Sequence, residues 1–320
     1  MHACIDLGSN SFHLLIGEWK QGKIEIVERL SEKVQLGENV RQTGRISPAA
    51  FERGLACLRR FADLMAQYPL QQYWALGTNT FRVTDNADAF IASAGGIGIE
   101  ISVISGVQEA VLIYAGVITE LPSSDIHRLV VDIGGGSTEV IVGSHHQRFL
   151  TDSLLIGSVA WRDHFFSDVS PDTESILLAM DAGRQAAIEV FAAIAPGVAQ
   201  CGWKQAYASS GTVKMLAAIC QEQGDPAGIV SLNALRDLKP LLAYVTAEQE
   251  ELAGLKEARR DLLLPGWCVL SGLMEAYQVP FVQFSSTALR EGMLDFMVRN
   301  GKTFDAMTKS DFPSISSATL

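Results

Sequence analysis

The stretch Asp132-Ile133-Gly134-Gly135-Gly136-Ser137-Thr138-Glu139 lies between two apolar runs, Leu129-Val130-Val131 and Val140-Ile141-Val142. Runs of β-branched residues joined by glycines predict a strand, a tight turn and a returning strand, and Gly135-Gly136 would supply the positive φ angles of a two-residue turn. In that register Asp132 faces Glu139, and two neighbouring carboxylates stay ionised together only beside a positive charge. Hard oxygen ligands suit Mg²⁺. We therefore predict that Asp132 and Glu139 bind Mg²⁺ or another divalent cation.

The same turn has the composition of a phosphate-binding loop. Glycines allow backbone N–H groups to approach an anion, and hydroxyl groups beside them add donors. We predict phosphate contacts from Gly135, Gly136, Ser137 and Thr138. A glycine-rich hairpin whose acidic residues are only hydrated explains this single stretch equally well, since isolated glycine motifs are weak signals.

A second copy of the pattern near the N-terminus favours the phosphate interpretation. Asp6-Leu7-Gly8-Ser9-Asn10-Ser11-Phe12-His13-Leu14-Leu15-Ile16-Gly17 aligns without gaps with Asp132 to Gly143. Both copies contain Asp, an aliphatic residue, Gly, two turn residues, Ser, two variable residues, three aliphatic residues and Gly. A repeat at this separation predicts two related halves that each present a hairpin loop. Ser9, Asn10 and Ser11 are therefore predicted to bind phosphate as well.

Composition limits the class of protein. The chain has 320 residues, 48% of them hydrophobic and 19% charged, which is enough for two globular domains. No stretch has the length of a membrane span, and Met1-His2-Ala3 leads directly into a predicted strand, so we expect a cytoplasmic protein without a membrane partner. The net charge of −11 argues against nucleic acid as a partner, and a polyanionic substrate would have to be held by local donors and a metal.

The five cysteines are scattered and contain no C-x-x-C pair, so neither zinc nor disulfides are indicated. We predict that they are small core residues: Cys4, Cys57, Cys201, Cys220 and Cys268.

Helix signals are frequent along the chain. Ser47-Pro48 predicts the start of a helix that runs to Tyr68. Apolar spacing predicts later helices at Leu232 to Val245, Ala247 to Leu255 and Trp267 to Tyr277.

Two predicted helix starts carry charged residues. Ser105 and Gln108 form a capping box, and Glu109 follows in the first turn, where helix polarity favours a carboxylate in any case. Arg82 follows a turn that begins at Gly77, and from the residues alone a surface ion pair with Asp85 is the simpler interpretation.

Three segments together resemble the exopolyphosphatase and guanosine pentaphosphate phosphohydrolase family, within the larger group of actin, Hsp70 and sugar-kinase folds. The segments are Asp6 to Ser11, Ser105-Gly106 followed by Glu109-Ala110, and Asp132 to Glu139. The resemblance continues to Ala288-Leu289-Arg290-Glu291-Gly292. It implies a duplicated actin-like, ribonuclease H-like α/β fold of two domains with an active-site cleft between them.

We place the domains at residues 1–124 and 125–300, with a final helix that returns to the first domain. Residues 301–320 are predicted to form a flexible tail.

The resemblance also implies roles for individual residues. Glu109 corresponds to the family's proposed catalytic base, which orients the attacking water. Arg82 corresponds to an arginine that contacts phosphate, in a pattern usually read Ala-Thr-Ser-Ala-x-Arg. Here Thr78 and Arg82 match that pattern, whereas Gly77, Asn79 and Thr80 depart from it.

A further helix start follows a short predicted strand, at Ser209-Ser210-Gly211-Thr212-Val213-Lys214. Helix N-termini bind anions readily, although an ordinary capped helix fits the residues equally well. With the resemblance, Ser210, Gly211 and Thr212 become candidates to hold a distal phosphate or nucleotide.

These expectations describe an enzyme that uses Mg²⁺ and water to release orthophosphate from a phosphoanhydride end. The substrate would be inorganic polyphosphate or guanosine pentaphosphate, and the sequence does not choose between them. Two alternatives stay open: an ATP-dependent small-molecule kinase of the same fold, and a non-catalytic nucleotide-binding module. The sequence also leaves open whether the protein forms a homodimer. Phosphate release without an acceptor distinguishes a hydrolase from a kinase.

Overall fold

A computed structural model of the chain describes residues 1–20, 23–145 and 147–299. Its contacts form two compact units. The first contains Met1–Pro122 and the described residues from Thr287 onward, and the second contains Ser123–Ser286. The predicted tail at 301–320 lies outside the described residues. In the part of the chain that the structure describes, no helix combines the length and apolarity needed to cross a bilayer.

The first unit is built on a five-stranded mixed sheet in the order β3-β2-β1-β4-β5. Its strands are β1 (His2–Leu7), β2 (Ser11–Lys20), β3 (Lys23–Lys33), β4 (Gln72–Gly77) and β5 (Ile101–Val103). The first three strands are antiparallel, whereas β4 lies parallel to β1 and β5 parallel to β4. The helices are α1 (Val40–Thr43), α2 (Pro48–Met65), α3 (Asn79–Val83), α4 (Ala87–Gly95) and α5 (Gly106–Ile118).

The second unit contains a six-stranded sheet in the order β10-β11-β9-β6-β7-β8. Its strands are β6 (Arg128–Ile133), β7 (Thr138–Ser144), β8 (Gln147–Leu154), β9 (Gln205–Ser209), β10 (Ile229–Ser231) and β11 (Phe281–Phe284). The helices are α6 (Ser158–Phe165), α7 (Thr173–Ala192), α8 (Ala195–Gln200), α9 (Gly211–Glu222), α10 (Leu232–Ala247) and α11 (Leu263–Ala276), with a 3₁₀ segment at Glu257–Leu262.

The two sheets confirm the duplication predicted from the repeat. The order β3-β2-β1-β4-β5 matches β8-β7-β6-β9-β11, and β10 is an additional edge strand. The pairing register shifts between Ile16 and Gly17 in one unit and between Val142 and Gly143 in the other, at equivalent positions of the repeat. The two halves thus share a β-bulge at the same position, so they repeat each other in backbone conformation as well as in sequence.

The final helix, α12 (Leu289–Arg299), belongs to the first unit and packs on α5 and β1. The two helix backbones approach closely at two glycines. A Cβ on Gly116 would overlap the carbonyl oxygen of Ala288, and a Cβ on Gly292 would overlap that of Leu112. Trp74 of β4 contacts Phe296 of α12, with ring centroids 5.5 Å apart.

One predicted helix is wrong. The segment from Ala247 to Leu255 does not continue as a helix, because Gln249 adopts φ 55° and Gly254 adopts φ 84°. These left-handed residues end the helical path after α10. The predicted helix from Ser47-Pro48 is confirmed, with the Ser47 hydroxyl accepting from the Ala50 N–H at 3.2 Å.

Candidate active site

The loop between β1 and β2 is held in one conformation by backbone hydrogen bonds. The carbonyl of Asn10 accepts from the N–H groups of Val34 at 3.0 Å and Gln35 at 2.8 Å. The carbonyl of Ser9 accepts from the Gly37 N–H at 2.8 Å. The side-chain Oδ1 of Asn10 is buried and has no hydrogen-bond partner among the described residues. The loop is thus rigid and offers a polar atom that the surrounding fold does not satisfy.

Two threonines at the end of β4 use their hydroxyl groups inside the first unit. Thr80, which departs from the family pattern, donates to Oγ of Ser9 at 2.8 Å. Thr78 donates to the carbonyl of Leu7 at 3.2 Å and is 4% exposed. The side chain of Thr78 therefore supports the fold. Its hydroxyl proton is already donated to Leu7, so it is not available for the predicted phosphate contact.

Arg82 and Glu109 form an ion pair within the first unit. Nη1 of Arg82 donates to Oε2 of Glu109 at 2.9 Å and to the carbonyl of Ile104 at 2.9 Å. Their side chains are 19% and 10% exposed, so the pair is largely shielded from water. The surface pair with Asp85 that the residues alone favoured is wrong, because the start of α5 brings a carboxylate to Arg82 from farther along the chain.

The start of α5 is fixed by the predicted capping box. Gln108 N donates to Oγ of Ser105 at 3.2 Å, and Ser105 N donates to Oε1 of Gln108 at 2.7 Å. Glu109 lies in the first turn and is 8% exposed. The side chain of Gln108 is thereby used in capping the helix. Glu109 is the residue of this helix start that carries a carboxylate.

In the second unit the hairpin has the predicted register. Asp132 pairs with Glu139 across β6 and β7, and Gly134 N donates to the Ser137 carbonyl at 2.9 Å. The expectation of positive φ at Gly135 and Gly136 is wrong, since neither is among the described residues with positive φ.

The start of α6 shapes that turn instead. Ser158 N donates to the Gly134 carbonyl at 3.0 Å, and Val159 N donates to the Gly135 carbonyl at 2.9 Å. A Cβ on Gly157 would lie 2.5 Å from the Gly135 backbone, so the two segments touch. Thr138 is fully buried and donates its hydroxyl to the Ile156 carbonyl at 2.6 Å, which makes it a support of the hairpin and not an open phosphate donor.

Each carboxylate of the predicted metal site accepts a hydrogen bond from a serine. Oγ of Ser209 donates to Oδ2 of Asp132, and Oγ of Ser153 donates to Oε1 of Glu139 at 2.8 Å. Within the described residues, no group of three or more His, Cys, Asp or Glu side chains could hold a metal. A pair of carboxylates fits Mg²⁺, which keeps several waters and also binds substrate phosphates, better than it fits a closed zinc or calcium site.

The start of α9 is capped by its own side chain. Oγ of Ser210 accepts from the N–H groups of Thr212 at 3.1 Å and Val213 at 3.3 Å. Ser210 has φ 104°, a conformation rare for a residue with a side chain. Two helix donors are thus used internally, and the groups left for an anion are the Ser210 O–H and the Gly211 N–H.

Arg259, which the sequence analysis did not single out, lies against this helix start. A Cβ on Gly211 would overlap the Arg259 guanidinium. Burial lowers the pKa of Arg259, while the nearby charge of Asp261 opposes that shift. Among the described residues its guanidinium makes no hydrogen bond or ion pair, unlike its neighbour Arg260, which pairs with Glu257 at 2.9 Å. Nothing in the sequence around Arg259 distinguishes it from a solvated arginine.

Comparison with known proteins gives consistent similarities. The model of the Ppx/GppA phosphatase family matches residues 15–300. A Haemophilus influenzae protein provisionally named an exopolyphosphatase is 33% identical over 309 residues, which cover 95% of this chain and 93% of that protein.

Solved structures are similar over the same extent. The crystal structure of an exopolyphosphatase from Cytophaga hutchinsonii has a TM-score of 0.82 at 27% identity and covers 94% of this chain and 98% of its own. The crystal structure of the Aquifex aeolicus member of the Ppx/GppA family has a TM-score of 0.73 at 22% identity, with 94% and 99% covered, and supports the fold alone. Arg82, Glu109 and the carboxylates Asp132 and Glu139 lie within the matched range.

Proposed function

The chain belongs to the Ppx/GppA phosphatase family, and from that membership we propose that it hydrolyses the phosphoanhydride bond at the end of inorganic polyphosphate, releasing orthophosphate. Guanosine pentaphosphate ends in the same kind of bond and is the second substrate to test. We also propose a cytoplasmic location for the protein.

The observation that carries the proposal is the pair Arg82–Glu109. Hydrolysis of a phosphoanhydride asks the protein chiefly for positioning and for neutralisation of charge. Nη1 of Arg82 lies 2.9 Å from Oε2 of Glu109, so a carboxylate that can position water is next to a guanidinium that can neutralise charge. In the proposed mechanism Arg82 binds an oxygen of the terminal phosphate, and Glu109 accepts the proton of the attacking water.

The loop of the first unit would bind the same phosphate group through hydroxyl and backbone donors. Thr80 donates its proton to Oγ of Ser9, so the Ser9 hydroxyl proton is available to a phosphate oxygen. Asn10 and Ser11 lie beside it and are bonded to one another through Nδ2 and Oγ at 3.3 Å. The rigid carbonyl contacts of this loop reduce the entropy lost when phosphate binds.

In the second unit we propose a metal site and further anion contacts. Asp132 and Glu139 would hold Mg²⁺, which when bound neutralises charge on phosphate oxygens. The backbone of Gly135 to Ser137 would meet phosphate, as predicted for a glycine loop. Ser210, Gly211 and Arg259 would hold a further phosphate, because Arg259 has no hydrogen-bond or ion-pair partner among the described residues and lies beside the Ser210 O–H and the Gly211 N–H.

The decisive experiment compares Glu109→Gln with the parent protein. The amide preserves size but cannot accept a proton, so release of orthophosphate should fall at least about a hundred-fold while binding of the phosphate chain is retained. The measurement is orthophosphate release from polyphosphate and, in parallel, from guanosine pentaphosphate, with no acceptor present.

Gln108→Ala is the matched control at the adjacent position. It removes one half of the capping box, so it should affect thermal stability slightly and activity little. Equal activity of Glu109→Gln and the parent on both substrates would refute the assignment of the base. Formation of ADP from ATP only when an acceptor is supplied would instead identify a kinase.

A further inference from the structure

From the hydrogen bonds of the second unit we infer that Ser209 and Ser153 are positioning residues that orient the two carboxylates toward a divalent cation. The inference rests on the proposed function, in which Asp132 and Glu139 hold Mg²⁺. It adds two residues that lie outside the predicted ligand set and outside the motif that suggested the site.

The four side chains form one row across four adjacent strands. In the sheet order β9-β6-β7-β8, Ser209 pairs with Asp132, Asp132 pairs with Glu139, and Glu139 pairs with Ser153. The two acids are therefore the centre of the row and the two serines are its ends. Ser209 and Glu139 are each 1% exposed, whereas Asp132 and Ser153 are partly exposed, so the row runs from the buried interior to a part that water or a cation can reach.

Each serine fixes one carboxylate through one oxygen. Ser209 donates to Oδ2 of Asp132, and Ser153 donates to Oε1 of Glu139 at 2.8 Å. A carboxylate held at one oxygen by a hydroxyl cannot rotate without losing that bond, so the direction of its second oxygen is fixed. We assign Oδ1 of Asp132 and Oε2 of Glu139 as the atoms that face the cation.

The other half of the duplicated fold serves as an internal comparison. There the equivalent row is Leu76, Asp6, His13 and Ser31, by the same strand pairings. Leucine at the position equivalent to Ser209 shows that the sheet does not need a hydroxyl at this point. The first unit has histidine in place of the second acid and leucine in place of Ser209, whereas the second unit has both the acid and the hydroxyl. Ser209 therefore accompanies the acidic pair and is not a requirement of the fold.

A purely structural role for the serines makes a different prediction. If the hydroxyls only satisfied buried carboxylates, their loss would lower the stability of the metal-free protein and leave its metal affinity unchanged. If they orient the ligands, metal affinity falls, because residues that orient ligands typically contribute about 10-fold to 100-fold in affinity.

The test is Mg²⁺ binding to chelator-treated full-length protein, measured by isothermal titration calorimetry. Ser209→Ala and Ser153→Ala should each weaken Mg²⁺ binding by about 10-fold or more. Ser153→Thr retains the hydroxyl on a strand and should bind as the parent does. Ser271→Ala is the matched control, because Ser271 is a fully buried serine of the same unit whose hydroxyl bonds only backbone carbonyls of its own helix.

The thermal midpoint of each variant without metal separates affinity from folding. The inference is supported if affinity falls in both alanine variants while their metal-free midpoints match that of Ser271→Ala. Parent-like affinity in Ser209→Ala and Ser153→Ala would overturn the inference and leave the proposed hydrolase intact. Absence of Mg²⁺ binding by the parent itself would overturn the inference together with the metal assignment of Asp132 and Glu139, without bearing on Glu109.

Discussion

Arg82 has two acceptors, and this arrangement distinguishes it from an ordinary surface arginine. The Ile104 carbonyl holds one guanidinium nitrogen in place, and the same nitrogen also bonds Glu109. A planar guanidinium still has other N–H groups to offer a phosphate oxygen. In the proposed mechanism the pair can therefore stay formed while substrate binds, and Arg82 would then link Glu109 to the phosphate.

Replacing Arg82 by alanine should reduce kcat/KM for orthophosphate release at least ten-fold, which is about 1.4 kcal/mol of transition-state stabilisation. The thermal midpoint should also fall, because the shielded carboxylate of Glu109 would be left without its positively charged partner. Arg82→Lys should lie between alanine and the parent, since one ammonium replaces the planar fork of donors poorly.

Arg236→Ala provides the comparison for this prediction. Arg236 pairs with Glu275 at 3.6 Å, and its side chain is 56% exposed. Glu275 keeps its bond to Arg184 at 2.7 Å, so this substitution should change neither kinetics nor stability appreciably. If Arg82→Ala left the kinetics unchanged, as Arg236→Ala should, the phosphate contact proposed for Arg82 would be refuted.

At the residue scale the sequence predicted what depends on neighbours in the chain. The register of Asp132 with Glu139 and the capping box of Ser105 with Gln108 follow from short spacings, and both are present. The contacts of Arg259 and Ser209 depend on segments that are distant in sequence. No local pattern encodes them, because an arginine or serine at either position is compatible with many surroundings.

Among the elements, the crossing of α5 and α12 has the narrowest tolerance. Gly116 faces the carbonyl of Ala288, directly before α12, and Gly292 faces the carbonyl of Leu112 in α5, and neither position has space for a Cβ. Gly116→Ala should therefore separate the helices and lower the free energy of unfolding by at least about 1–3 kcal/mol, the usual cost of overpacking. The measurement is urea unfolding followed by circular dichroism.

Gly95→Ala tests whether helix propensity alone explains the result. Gly95 is the last residue of α4, and an added Cβ would meet nothing within 4 Å. This substitution should be neutral or stabilise by up to about 1 kcal/mol. A stabilised Gly116→Ala variant would mean that α5 and α12 are not in contact as described.

Elements with a strong end signal were predictable, and those ended by distant packing were not. Ser47 caps α2 through its own hydroxyl, which the sequence announces. The helix expected from Ala247 to Leu255 fails at Gly254, where the chain passes so close to the backbone of Ala218 that a Cβ would lie 2.7 Å from it. Apolar periodicity persists through such a segment because its leucines are still buried or half-buried in the core.

For the whole molecule, the cysteines report the integrity of both cores. Burial raises the pKa of Cys57 and Cys220 to about 12 and raises the pKa of Cys4 and Cys268 as well. These four thiols are buried, and Cys201 is only partly buried. At pH 8 the native protein should react with Ellman's reagent at Cys201 at most, whereas the denatured chain should react at all five.

Cys201→Ser is the variant that checks this assignment, and it should abolish the reaction of the native protein. Rapid modification of two or more thiols in the native parent would contradict the burial of Cys4, Cys57, Cys220 or Cys268.

The duplicated architecture of the whole chain was predictable because each half begins with the same hairpin, and equivalent hairpins seed equivalent sheets. The added strand β10 was not predictable, since Ile229–Ser231 is only three residues long and gains its pairing from β11. Short strands at a sheet edge carry little periodicity to detect.

The return of α12 to the first unit has a consequence for biosynthesis. A ribosome completes β1 to α5 early, but the partner of the Gly116 surface emerges only after all of the second unit has been translated. Until then the surface of α5 around Gly116, which packs against the backbone of α12 in the folded protein, is exposed to water or to chaperones. The segment that carries Glu109 thus acquires its final support only after the second unit has been synthesised, so a nascent chain that still lacks α12 would hold this carboxylate on an unsecured helix.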